Sequence, residues 1–264
     1  MPTILLAIDA FSPLYRLLPA AVFLASRRNA ELVCVFTQDS RLLPGVALSC
    51  THEIGAHSAV CYPVTRRSIE KRMSGIADDM RRRLSMEAER QHLRWGFQQR
   101  SGSIAQIATE TDAEIVVPGW GESQWADAMR SGISAHRTPD SHVVAVVDED
   151  SSATAQVVEA ARSLLGPNGP NRLIILSLQR DNDTASERFQ KSCDQSSGEV
   201  RIFIASFEKL IQHLRLLRPT LVLMGREQSL SADIQLHKTL TSIKCPVALI
   251  RTTPSLPSRT DRLA

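Results

Sequence analysis

Continuous aliphatic runs alternate with amphipathic stretches along most of this chain. "ILLAID" (Ile4–Asp9) and "VVAVVD" (Val143–Asp148) are short apolar runs that end in aspartate. Each is followed by a small polar turn and then by a helical pattern. The first helix places Leu14, Leu17, Leu18, Ala21 and Leu24 on one face; the second does the same with Val157, Val158, Ala161, Leu164 and Leu165. This i, i+3, i+4 spacing marks an amphipathic helix. A second strand follows in each half, at Glu31–Asp39 and Arg172–Asp181. Further on, "SIAQIATETDAEIVVPG" is matched by "FEKLIQHLRLLRPTLVLMG". Each predicts a helix, a short link and a strand ending in glycine, at Gly119 and Gly225. Uninterrupted apolar strands are covered on both faces, as in a parallel sheet. Strand alternating with helix then gives right-handed crossovers and a doubly wound α/β layer.

The halves differ in the middle. The first carries a long insertion from Ser40 to about Arg90, where the second has only "NDTASERFQKSCDQSSG". Within the insertion Ile69, Met73, Ile76, Met80 and Leu84 fall at helical spacing and predict a long helix with these residues inward. "LRWGFQQ" (Leu93–Gln99) and "EVRIFIAS" (Glu199–Ser206) read as third strands, and Ser242–Thr252 as a closing strand for the second half. The run before Asp148 either closes the first half or opens the second; the helix right after it favours opening the second. The chain is thus expected to hold two units, 1–140 and 141–253, each a mostly parallel sheet of about five strands with helices on both faces. Unit one is left short of a closing strand, and a Pro/Ser/Thr/Arg-rich tail follows at 254–264.

Composition narrows the class. A chain of 264 residues that is 43% hydrophobic can bury a core, and 22% charged residues is ordinary for a soluble protein. The formal charge of +3 selects no class of partner. No run approaches the ~18–20 apolar residues of a membrane helix. The N-terminus has no basic leader before Asp9, and the cysteines number five, an odd and sparse set. A reducing cytoplasm is the simplest compartment to expect.

The order of these elements, given twice, resembles the universal stress protein family in its tandem form. The pieces that carry the likeness are "LLAID", "AEIVVPG", "TLVLMG" and "CPVALIR", spread over about residues 3–252. The resemblance implies an adenine nucleotide alpha hydrolase-like fold and a role in stress response or signalling through binding. It also implies, in members that bind ATP, a site at the C-terminal edge of the sheet, in keeping with the general rule for open α/β sheets. There the aspartate after the first strand lies near the adenosine. A glycine loop with the pattern Gly, two residues, Gly, nine residues, Gly and then Ser or Thr holds the phosphates. Glycines let the backbone approach a phosphate and the hydroxyl adds a donor.

Measured against that pattern, Gly119 and Gly132 keep the outer spacing of unit one. The inner glycine is displaced to Gly121, and Glu122 takes its place. The hydroxyl is displaced too: Ile133 follows Gly132, and Ser134 comes one residue late. A carboxylate beside a triphosphate is repelled. Trp120 and Trp125 add bulk. The unit-one nucleotide set is therefore Asp9, Gly119, Gly121, Gly132 and Ser134. In unit two, Asp148, Gly225 and Thr239 match, but Gln228 and Lys238 stand where glycines are expected. Both aspartates also have a plain alternative role as turn or helix-start residues.

Two other clusters carry chemistry. Cys50, His52, His57 and Cys61 offer two thiols and two imidazoles within twelve residues, a donor set suited to zinc; the alternative is a loop before the long helix. Arg66, Arg67, Lys71, Arg72, Arg81, Arg82 and Arg83 are interleaved with Glu70, Asp78, Asp79, Glu87 and Glu89, which reads as a solvated helix face and not as a nucleic-acid site. The chain has no Ser-Gly-Gly pyrophosphate loop, no His-x-Gly-His element, no G-x-S-x-G turn, no P-loop and no H-E-x-x-H. It is expected to bind and not to turn over a substrate. The expected partners are a small ligand, ATP or another adenine nucleotide in unit one, or a protein. The alternatives are an interaction module with decayed nucleotide sites, or a metal-dependent sensor using the Cys50–Cys61 loop. Nucleic acid and membrane are not expected. The two units are expected to pair within one chain, with a homodimer open to unit one through its missing strand.

Overall fold

The computed structural model describes residues 1–38, 52–54, 61–119, 142–148, 154–165, 172–178, 199–204, 207–226 and 245–252. The chain divides into two compact units, Met1–Ser131 and Gly132–Ala264.

Unit one begins with β1 (Thr3–Ile8), α1 (Leu14–Arg28) and β2 (Glu31–Gln38). A short antiparallel pair, β3 (His52–Ile54) and β4 (Cys61–Pro63), precedes α2 (Arg66–Arg90). The unit continues with β5 (Trp95–Ser101), α3 (Ile104–Glu110) and β6 (Ile115–Pro118). Its main sheet is parallel, in the order β5-β2-β1-β6. The chain moves outward from β1 to β2 to β5, then returns to the other side of β1. Right-handed crossovers put α1 and α2 on one face and α3 on the opposite one. β1 is buried from Ile4 to Ile8 without alternation, as a strand covered on both faces must be. Helix α1 ends at Asn29, whose left-handed backbone (φ 47°) asparagine tolerates better than most residues.

Helix α2 starts at a reciprocal cap: the Ser68 N–H donates to Thr65 Oγ1 and the Thr65 N–H to Ser68 Oγ, both at 3.1 Å. Its inward face is the expected one, but only part of that face is buried. Ala77, Met80, Leu84 and Ala88 are buried, while Ile69, Met73 and Ile76 are half-exposed. Only the C-terminal half of the helix packs fully, because α2 is longer than the sheet it covers. At 25 residues it extends about 37 Å, against about 23 Å for the seven residues of β5. β5 itself begins two residues later than the sequence pattern implies, at Trp95.

Unit two contains β7 (His142–Asp148), α4 (Thr154–Leu165), β8 (Arg172–Leu178), β9 (Glu199–Ile204), α5 (Phe207–Leu217), β10 (Leu221–Gly225) and β11 (Val247–Ile250). The sheet is parallel, in the order β9-β8-β7-β10-β11. β7 pairs with both β8 and β10, so the strand ending in Asp148 is the central strand of unit two. No described helix is long and apolar enough to cross a membrane.

Two local features give measurable outcomes. Arg162 on α4 reaches Glu199 on β9 through Nε (2.6 Å to Oε1) and Nη2 (2.9 Å to Oε2). The hydrogen bond from Arg162 holds the Glu199 carboxyl below its ordinary pKa, against the opposing effect of burial. A lowered folded-state pKa means that the pair stabilises above about pH 4.3 and that its contribution fades as pH falls through the folded value. Half of the Arg162 side chain is solvent-exposed, so screening keeps the effect small. Glu199→Gln is expected to cost about 0.5–1 kcal/mol at pH 7 and nearly nothing at pH 2–3, read by urea unfolding at both pH values.

Cys34 lies inside β2 at 1% exposure, and burial pushes its thiol up to about 12. At pH 8 its thiolate fraction is about one part in ten thousand, and access is blocked as well. Cys61 is exposed. A thiol-reactive disulfide reagent at pH 8 is expected to label Cys61 in the folded protein, and Cys34 only after denaturant is added; mapping the labelled peptides checks this.

Candidate functional site

In each unit the sheet has one place where the strand order reverses. In unit one it lies between β1 and β6, and in unit two between β7 and β10. Two crossovers leave such a point in opposite directions, and open α/β sheets hold their ligands outside the C-terminal ends of the strands there.

Asp9 and Gly119 stand at this switch point in unit one. Ala7 lies abreast of Pro118 in the parallel register, so Gly119 is one residue and Asp9 two residues beyond that pair. The Gly119 N–H donates to the Ala7 carbonyl at 2.6 Å, extending the β1–β6 ladder past the last strand residue. The link between them is Ser12, which is 8% exposed. Its Oγ accepts from the Asp9 N–H (2.9 Å) and lies 2.7 Å from Asp9 Oδ1 and 2.8 Å from the Gly119 carbonyl oxygen. A hydroxyl has one proton, so these two acceptors share it. Asp9 Oδ1 also accepts from the Phe11 N–H at 2.9 Å, closing an Asx turn that carries the chain into α1.

This packing explains why position 119 is glycine. A Cβ there would overlap Ser12 Oγ and would lie 2.8 Å from Ser12 Cβ and 3.0 Å from the Ala7 carbonyl oxygen. The contact comes from space and not from backbone strain. Ser12 is not among the residues that the sequence pattern singles out for the site. Its signal is the D-x-x-S-P spacing of Asp9, Ser12 and Pro13 at the end of an apolar strand, the pattern of a side-chain-closed turn ahead of a helix.

Unit two repeats the register. Val146 lies abreast of Met224, so Gly225 is again one residue and Asp148 two residues beyond the pair. Here Thr154, the first residue of α4, donates its hydroxyl to the Asp148 carbonyl oxygen. Gly225 is buried and Asp148 half-buried. Arg226, directly after the glycine, is 7% exposed.

Gly121, Glu122, Gly132, Ser134, Gln228, Lys238 and Thr239 lie outside the described residues, as do Trp120, Trp125, Cys50 and His57. Of the four zinc candidates, His52 and Cys61 are described. The β3–β4 register sets His52 opposite Pro63 and Cys61 opposite Ile54. His52 and Cys61 therefore share one face of the hairpin at a diagonal, about 7–8 Å apart between Cα atoms. No group of three or more His, Cys, Asp or Glu side chains suited to a metal occurs among the described residues.

A universal stress protein of Archaeoglobus fulgidus DSM 4304 has a similar structure, with a TM-score of 0.56 at 14% identity over 96% of this chain and 97% of that one. The fold is that of the universal stress proteins. A Pseudomonas aeruginosa UCBPP-PA14 protein, provisionally named a universal stress protein, shares the universal-stress fold with a TM-score of 0.50 at 11% identity, over 95% of this chain and 93% of that one. No family model matches the sequence, and no curated protein matches it.

Proposed function

We propose that this chain is a two-unit, universal-stress-type protein that acts in stress response or signalling by binding, without turning over a substrate. The binding place is the crevice of unit one, and the ligand class is an adenine nucleotide. The observation that carries this reading is the joining of Asp9, Ser12 and Gly119 at the switch point between β1 and β6, where open α/β sheets hold their ligands. The Asp9 carboxylate is half-buried there, with one oxygen committed to the Asx turn. In this reading the nucleoside lies against the Asp9 end of the crevice, and the segment from Gly119 through Gly121, Gly132 and Ser134 meets the phosphates. The same register recurs at Asp148 and Gly225, which supports a tandem of two related units. With Gln228 and Lys238 in place of glycines, unit two is assigned no nucleotide. A cytoplasmic location and pairing of the two units within the chain belong to the same proposal.

A second reading is an interaction module that keeps the turns but not the ligand. It is favoured by the closed hydrogen bonding of Asp9 Oδ1 and by Glu122 in the loop. Asp9→Asn separates the two readings. Asparagine retains the Oδ1 acceptor of the turn and removes the charge, so the unliganded protein should lose less than about 0.5 kcal/mol. Under the first reading, millimolar Mg·ATP raises the melting temperature of the wild type, and Asp9→Asn changes the size of that rise. Under the second, nucleotide moves neither melting curve.

A further inference from the structure

We propose that the outer edge of β5, which no described strand covers, together with the arginine-bearing wall of α2 beside it, is a docking site for an acidic, extended segment of a partner protein. β5 ends the sheet of unit one, and no described strand pairs with its outer side. The orientation of its backbone follows from two hydrogen bonds. The Leu32 N–H donates to the Arg94 carbonyl, and the Gly102 N–H donates to the Gln38 carbonyl. In a parallel ladder alternate residues turn both their N–H and C=O groups the same way. Arg94, Gly96, Gln98, Arg100 and Gly102 therefore face β2, and Trp95, Phe97, Gln99 and Ser101 present theirs to the outside. Gln98 through Ser101 are all exposed. An edge of this kind accepts an added strand unless something blocks it.

The side chains beside that edge state what kind of strand fits. Trp95 lines an open trough whose other wall is α2, with Asp78, Arg81, Arg82, Ser85 and Met86 among the lining residues. Met86 is 64% exposed, an apolar surface next to the indole. Asp79 is already shared by two guanidiniums, Arg82 at 3.1 Å and Arg83 at 2.8 Å, so cations outnumber carboxylates in this wall. From Arg66 to Arg100 the chain carries ten Lys or Arg against five Asp or Glu, a surplus of five where the whole chain has +3. The rest of the protein is thus slightly acidic, and the positive charge is gathered on α2 and β5.

Charge complementarity selects an acidic occupant, and the outward amides select one with a peptide backbone. A second copy of β5 would bring the same cationic surplus and be repelled. A nucleic acid would leave the outward amides unused and would run its phosphates past Asp78 and Asp79. A segment whose α2-facing residues, every second one along the strand, include both apolar and acidic side chains suits the site: the apolar ones can lie on Trp95 and Met86, and the carboxylates can reach Arg81 and Arg82. Seven strand residues span about 23 Å, so a peptide of about ten residues covers the edge.

The test is fluorescence anisotropy with a labelled peptide of about ten residues in which glutamate and valine take turns at every second position with serine between them, titrated with the full chain at low salt. Saturable binding tighter than about 1 mM is expected, weakening as salt is added. Arg81→Glu combined with Arg82→Glu, on an exposed helix face, should weaken it at least about tenfold. The same peptide N-methylated at alternate amides should lose binding to the unaltered protein, a control that needs no folded variant. Three results would overturn the proposal: no saturation by about 1 mM, equal binding of the N-methylated peptide, or a single-stranded oligonucleotide of equal charge binding tighter than the peptide.

Discussion

Gly119→Ala unfolds more easily than the wild type by about 3 kcal/mol, the upper part of the range for overpacking a tight site. The new methyl group has nowhere to go: Ser12 Cβ and the Ala7 carbonyl oxygen lie within 2.8 and 3.0 Å of it, and the Ser12 hydroxyl nearer still. Relief requires moving β6 away from β1 or breaking the Ser12 hydrogen bonds to Asp9 and Gly119. A double-mutant cycle isolates the cause. Ser12→Gly alone loses those hydrogen bonds and costs about 1–2 kcal/mol. In the double variant the overlap with Ser12 is gone, so its cost falls short of the sum of the two single costs by about 1 kcal/mol or more. Strict additivity would show that Ser12 is not what excludes a side chain at position 119.

Leu84→Ala loses about 3 kcal/mol, whereas Met73→Ala, on the same helix, loses less than about 1 kcal/mol. Leu84 is 1% exposed, between α2 and the sheet; Met73 is half-exposed on the part of the helix that outruns it. A cavity term arises only where neighbours cannot relax into the gap, and solvent fills the space left at Met73. Urea unfolding of both variants reads the difference. Similar losses at the two sites would place the first turns of α2 in the core after all.

The same helix shows how far the sequence could be read. Its periodicity from Ile69 to Leu84 predicts a helix and its face correctly, because spacing reports direction around an axis. Spacing does not report how long the underlying sheet is, so Ile69, Met73 and Ile76 look the same as Met80 and Leu84. The strands were legible because full burial on both faces leaves uninterrupted apolar runs, as in β1, β6, β7 and β10. The β3–β4 hairpin was not legible: three residues such as His52–Ile54 are too short to show a period. For the site, the ends of the strands pointed to Asp9 and Gly119. Ser12 escaped because its D-x-x-S-P turn reports only a local cap, while the carbonyl it joins to Asp9 is 107 residues away in the chain.

The central claim is that the unit-one crevice holds an adenine nucleotide. Isothermal titration of the full chain with Mg·ATP tests it most directly. The account predicts saturable heat with one nucleotide per chain, since unit two is assigned none. The absence of heat up to several-fold above about 1 mM, the weakest affinity of interest, would contradict it and leave the crevice a structural turn.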